Sequence, residues 1–174
     1  MASREQIIDA LRAVYSNIDN CLSHSSNDAH VVDEPNFSVD KTIPGFDVKN
    51  PNNKSFSLLQ IDNHLLNSDI YQVGQCDGAI VSDDEISLLE FKTNATTDKL
   101  DKNCGKAESQ IYITAMRMNW ALSRLNKCFL SMAKIKGYIC FNSYPQGGAN
   151  YQTRQVRFLE RTGIELFYSN EKTL

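Results

Sequence analysis

The sequence predicts an α/β fold: a mixed central sheet containing an antiparallel meander, flanked by helices. Three observations predict it. Apolar residues recur at helical spacing in residues 3–22 and again from Lys106 to Ala133. Between those segments, short apolar runs at 56–62, 70–81 and 86–92 read as strands. Another apolar run, Lys136 to Asn142, follows the second helix. Helix, three strands, long helix and strand in succession describe a sheet with helices packed on it.

Each element has its own warrant. In SREQIIDALRAVYSNIDNCL, Ser3 is an N-cap and Gln6 completes a capping box, while Ile7, Leu11, Val14 and Ile18 fall on one face. Residues 23–55 are polar, contain Pro35, Pro44, Gly45 and Pro51, and show no sustained period. They read as a long loop, either a lid or partner-binding segment or a mobile insertion. Gly74 and Gly78 in the second strand signal a bulge or a close backbone approach. Thr93 to Gly105 is a polar connection. The long helix has a seam of Ile111, Ala115, Met118, Leu122, Leu125, Phe129 and Met132. Residues 143–152 form a loop, and a terminal hairpin over about 153–168, with strands Arg154–Leu159 and Ile164–Tyr168, turns at Thr162-Gly163.

With 174 residues, the chain forms one domain, 1–174, with enough length for a single core. No apolar run reaches the length of a membrane span, and the N-terminus lacks a signal-peptide layout, which places the protein in the cytoplasm. Five scattered cysteines with no C-x-x-C pair suggest reduced, mostly buried thiols. His24, His30 and His64 lack metal-ligand spacing and read as solvent or structural residues. There is no nucleophile elbow, Walker loop or dinucleotide fingerprint. Residues 1–98 carry 6 Lys and Arg against 16 Asp and Glu, and residues 99–174 carry 12 against 5. The basic half can attract phosphate locally although the chain is acidic overall; alternatively the halves neutralise each other in the fold.

The chemistry concentrates in QCDGAIVSDDEISLLEFK, residues 75–92. If Val81 and Ile86 oppose each other across the turn, Asp77 faces Glu90 and Gln75 faces Lys92 on the same side of the sheet. Two opposed carboxylates repel, so stability alone gives no reason for the pair. A hard divalent cation such as Mg²⁺ would reverse that sign, and Lys92 beside it would orient an attacking water or stabilise a phosphoryl transition state. The expected chemistry is phosphodiester hydrolysis. The plainer alternative is a surface ion pair at a strand end.

This pattern resembles the PD-(D/E)xK nuclease superfamily, which includes many restriction endonucleases and RecB-like nucleases. Asp77, Glu90 and Lys92 match the motif, and the order of elements over about residues 3–142 matches the restriction-endonuclease-like core. The resemblance implies Mg²⁺ or Mn²⁺ held by Asp77, Glu90 and the Phe91 carbonyl, with Lys92 at the attacking water. It further implies an acid from the first helix, Glu5, although Asp9 fits almost as well. RecB-like members carry Q-x-x-x-Y on the following helix; here Gln110 is present but Thr114 replaces the tyrosine, and Cys76 stands where the motif name has proline.

A stripe of Lys106, Gln110, Arg117, Arg124, Lys127 and Lys134, interrupted by Ile113 and Trp120, is a candidate nucleic-acid face or simply a solvated one. Trp120 reads as a partly buried core aromatic, with base stacking as the alternative. The first expectation is a metal-dependent nuclease acting on DNA or, less readily, RNA, with a protein partner or a second copy as an accessory. The alternative is a catalytically silent nuclease-like module for binding or assembly, for instance in a defence complex. Small size, the acidic N-terminal half and the 23–55 segment favour the latter.

Overall fold

The computed structural model describes residues 2–66, 74–93, 99–142 and 148–174, side chains of 148 and 149 excepted. Helix α1, Arg4–Arg12, starts at the expected capping box: the Ser3 amide donates to Gln6 Oε1 at 2.9 Å and the Gln6 amide to Ser3 Oγ at 3.3 Å. It stops at Arg12 rather than running to residue 22. The side chain of Asn17 donates to the His64 carbonyl at 2.8 Å, a side-chain-to-backbone bond of the kind that competes with helix. A 3-10 turn over Ile18–Cys21 follows, and Ile7, Leu11 and Ile18 are buried as their spacing requires.

Residues 23–55 are not the long loop their composition predicts. They contain β1 (Leu22–Ser25), β2 (Ala29–Val32), β3 (Asn36–Ser38) and β4 (Gly45–Lys49). Strands this short carry only two or three inward residues each, too few for a visible period, and Pro35, Pro44 and Pro51 lie between them. β2, β3 and β4 form a second sheet of order β10-β4-β2-β3, completed by β10, Glu171–Thr173, which pairs parallel with β4.

The main sheet has the order β1-β5-β6-β7-β8-β9. β5 (Phe56–Gln60), β6 (Gly78–Ser82) and β7 (Glu85–Lys92) form the expected antiparallel meander. β8 (Lys134–Phe141) and β9 (Glu165–Tyr168) extend it in parallel with β7. Part of the expected 70–81 strand lies outside the described residues; within them, 74–77 precede the ladder, which begins at Gly78.

Between β7 and β8 runs α2, Leu100–Ser123, where one helix from Lys106 to Ala133 was expected. The break is a helix-ending motif: Asn126 adopts φ 53°, its amide donates to the Ser123 carbonyl, and the Lys127 amide reaches the Leu122 carbonyl at 3.1 Å. A single turn, α3 (Phe129–Met132), then returns Phe129 to the core, while Leu125 is left exposed.

The predicted C-terminal hairpin is also corrected. Gly148–Thr162 is a helix, α4, and only its successor β9 is a strand. Tyr151, Arg154, Gln155, Phe158 and Thr162 form its inward stripe at helical spacing, but Phe158 is the one fully buried apolar member, so the hydrophobic pattern is faint. Gly163, read as a turn residue, ends the helix at φ 72° with its amide on the Leu159 carbonyl.

Both faces of the main sheet are covered. Ile86, Leu88 and Ile139 pack with Ile7, Leu11, Ile111, Met118 and Phe158 of the helices. Leu89, Tyr138 and Ile80 pack with Val31, Phe46 and Val48 of the second sheet. The result is a helix layer, a mixed sheet and a smaller sheet. Cys21, Cys76, Cys104 and Cys140 are buried free thiols and Cys128 is an exposed one. Among the described residues, no helix is long and apolar enough to cross a membrane.

Candidate active site at the end of the meander

The β6–β7 register is the one that brings the two carboxylates together. Val81 pairs with Ile86, Ala79 with Leu88 and Gly78 with Leu89. One step further, Asp77 lies opposite Glu90 and curls back on β7, where its Oδ2 accepts from the Phe91 amide at 2.6 Å. Continuing the register would put Cys76 opposite Phe91, but the Cys76 amide donates to Thr114 Oγ1 of α2 at 2.9 Å instead. The ladder is thereby interrupted at the site. The N–H and C=O of one strand residue leave it on the same side, so the Phe91 carbonyl projects toward Asp77 without Cys76 as its ladder partner.

Glu90 shares its face of the sheet with Ile86 and Leu88, which is the face toward α2. It is fully buried. Its Oε1 accepts from Lys92 Nζ, whose side chain is itself only 14% exposed, and among the described residues its Oε2 has no hydrogen-bond partner. The alternative of a solvated surface pair is therefore excluded by burial. Lys92 also donates to Gln110 Oε1 at 3.2 Å, and Gln110 Nε2 donates to the Gln75 carbonyl at 2.8 Å. Gln110 thus ties Lys92 to the backbone leading into Asp77.

The electrostatics follow from this burial. Desolvation, together with the negative charge of Asp77, pushes Glu90 up to about 8, outweighing the attraction of Lys92. Desolvation also raises Asp77 to about 6, against the lowering effect of the Phe91 amide, with Asp33 adding to the rise. An unpartnered, buried carboxylate oxygen costs roughly 1–3 kcal/mol. A cation would satisfy it.

The residues present fit a hard divalent ion: two adjacent carboxylates, one with an orphaned oxygen, and a carbonyl released from its ladder. Among the described residues, no group of three or more His, Cys, Asp or Glu is placed to hold a metal. Two carboxylates and a backbone oxygen are the donors such an ion would find here.

Other predicted residues fare differently. Glu5 does not join the pair. Its helix is anchored at the opposite end of the hairpin, where the Arg4 amide donates to Asp83 Oδ1 at 2.8 Å and the Asp84 amide to the Ala2 carbonyl at 3.0 Å. Five strand residues separate that end from Glu90, about 17 Å. Glu5 is instead exposed and ion-paired with Arg4, and Asp9 pairs with Arg12 at 2.5 Å. Gln75 faces away from Lys92: with its amide oriented to satisfy both neighbours, it donates to Asp62 Oδ1 at 3.1 Å and accepts from Arg117. Lys106 is exposed and acts on Glu90 through its charge. Arg124 stacks on Trp120, and Lys127 lies beyond the end of α2, so the basic stripe is not one continuous face. Trp120 is 59% exposed, contrary to the expected core position. His24 bonds Ser57, His30 bonds Asp47, and His64 is exposed, as expected of structural or solvent histidines.

Two contributors were missed. Thr114, noted only for not being tyrosine, is buried and holds the Cys76 amide; its spacing of four from Gln110 was the available signal. Asp33 approaches the site from the β2–β3 turn, accepting from Thr93 Oγ1 at 3.4 Å. It falls in the segment expected to be structureless, and nothing local marks it. That turn is seated by Pro35 on Gly78, where a Cβ would lie 2.7 Å from Pro35 Cγ. The close approach read from Gly78 is real. Compared with protein-family models, curated proteins and solved structures, the chain matches none of them.

Proposed function

We propose that this chain is a metal-dependent nuclease with a PD-(D/E)xK-type site on a restriction-endonuclease-like core, hydrolysing phosphodiester bonds of nucleic acid, DNA in preference to RNA. The observation that carries the reading is Asp77 beside a buried Glu90 with one unpartnered oxygen, and Lys92 on Glu90. The order α1, β5–β6–β7, α2, β8, with an antiparallel meander and a parallel fourth strand, supports the fold assignment.

Asp77, Glu90 and the Phe91 carbonyl would hold Mg²⁺ or Mn²⁺. When bound, such an ion neutralises charge on the phosphate and eases deprotonation of water. The chain's own residues supply the rest. Lys92, steadied by Glu90 and Gln110, presents an ammonium that positions the attacking water and stabilises charge on the phosphate. Thr114 and Gln110 fix the backbone on which Asp77 sits, and so act as positioning residues. Burial beside Asp77 raises the proton affinity of Glu90, which lowers the repulsion between the two carboxyl groups, and a bound cation would compete with that proton.

The test is cleavage of single- and double-stranded DNA and RNA with Mg²⁺ or Mn²⁺. Lys92→Ala and Asp77→Asn should each reduce the rate by roughly a hundredfold or more. Purified protein that cuts no nucleic acid with either ion, alone or with a natural partner, would overturn the reading.

A further inference from the structure

We propose that a cavity at the C-terminal half of α2 is a stacking site for an unpaired base of a single-stranded nucleic acid. This inference deepens the nuclease reading and rests on it for the nature of the ligand. The cavity, about 410 Å³, has apolar walls from Val14, Tyr15 and Leu66, and a rim of Trp120, Arg117 and Arg124.

Three features select the occupant. Trp120 is 59% exposed, although a tryptophan ordinarily buries most of its large apolar area. The Arg124 guanidinium lies 3.9 Å from the centre of the indole ring, so the two flat groups form one platform. Aromatic rings and guanidinium planes are the surfaces on which unstacked bases pack. Finally, among the described residues no carboxylate lines the cavity, and the Arg124 guanidinium stands beside it. A flat apolar group linked to an anion is what this combination complements, and a nucleotide is such a group.

The cavity is also connected to the reaction centre. Arg117 donates to the Gln75 side chain, and the Gln75 carbonyl accepts from Gln110, which in turn holds Lys92. From Gln110 to Trp120 is ten helical residues, about 15 Å. A base on Trp120 and a phosphate at Lys92 can therefore belong to one short stretch of a single strand. Because a base inside a duplex offers no free face, the strand on this side of the cut must be single, as at an overhang, a flap or an unpaired tract.

Trp120 is the only tryptophan, so its fluorescence reports this cavity alone. The experiment titrates the full chain, in EDTA so that nothing is cut, with a ten-residue oligothymidylate, the ribo equivalent, and a blunt duplex. Saturable quenching by the single strands but not by the duplex is expected, and the deoxy and ribo arms show which sugar is preferred. By anisotropy of the labelled strand, Trp120→Ala should weaken binding roughly tenfold to a hundredfold, the range found for base–aromatic stacking, with Trp120→Phe recovering most of it. Arg124→Ala should weaken it too.

Single-strand binding with unchanged Trp120 emission, or binding unaffected by Trp120→Ala, would overturn the inference while leaving cleavage untouched. Emission that shifts with protein concentration alone and not with oligonucleotide would assign the cavity to a second copy of the chain and overturn it likewise. Quenching without cleavage in either metal, alone or with a natural partner, would uphold the stacking site and defeat the nuclease reading.

Discussion

Replacing Glu90 with Gln separates burial of a carboxylic acid from burial of a carboxylate. Glu90 moves from its ordinary 4.5 to about 8 because it is desolvated beside Asp77. Between those two values the folded chain keeps a proton that the unfolded chain has released, so stability is fully present below pH 4.5 and is lost as pH rises toward 8. The slope is about 1.4 kcal/mol per pH unit, or about 3 kcal/mol between pH 5 and pH 7. Gln retains the shape and an oxygen for Lys92, and it does not titrate. The stability advantage of Glu90→Gln over the wild type should therefore grow by about 3 kcal/mol from pH 5 to pH 7, which is about 6–12 °C in Tm for a chain of this length. It should level off above pH 8. The assay is thermal melting in EDTA from pH 5 to pH 9. A difference that stays constant over that range would mean Glu90 is ionised against Lys92 throughout, and the account of a proton-holding, metal-ready site would fail. The same melts with Mn²⁺ should show a stabilised wild type, more so at pH 8 than at pH 6, and no response in Glu90→Gln.

Other expectations follow from neighbouring contacts. Thr114→Val leaves the Cys76 amide buried without its acceptor, so the chain should lose roughly 1–3 kcal/mol in denaturant melts, and any cleavage rate should fall with it because the Asp77 backbone is released. Gly78→Ala brings a methyl to 2.7 Å from Pro35 Cγ and 2.9 Å from the Leu59 carbonyl. It should cost roughly 1–3 kcal/mol, measurable as a lower denaturation midpoint. Glu85→Gln removes the counter-charge of Lys172 and Lys136, leaving Lys172 buried and unpaired, at a cost of roughly 3 kcal/mol at pH 7. Burial alone would raise Glu85, but the bonds from Lys136 and Lys172 bring it to about 2. Its stabilisation is thus present above pH 4.5 and lost as pH falls toward 2, and the gap between variant and wild type should close over that window.

How far the fold was legible depended on how much of each element's apolar pattern was local. The meander and α2 are long enough, and regular enough, to declare their period, and the turn at Asp83-Asp84 set a register that Val81 and Ile86 confirm. α4 was missed because one buried phenylalanine does not make a period, and the second sheet because its strands span only three to five residues. The end of α2 depended on Asn126 adopting a left-handed φ, which a polar residue in a helical pattern does not announce.

The candidate site divides in the same way. Asp77, Glu90 and Lys92 could be brought together on paper because strand periodicity and one hairpin register relate them, and both are short-range properties of the chain. Burial of Glu90, its unpartnered oxygen, the diversion of the Cys76 amide to Thr114, and the arrival of Asp33 required tertiary structure. So did the removal of Glu5 to the far end of the hairpin and the exposure of Trp120. Local periodicity establishes which residues share a face. Solvent exclusion, and with it the charge state of a carboxylate, depends on what distant segments pack over that face, and no single stretch of sequence carries that information.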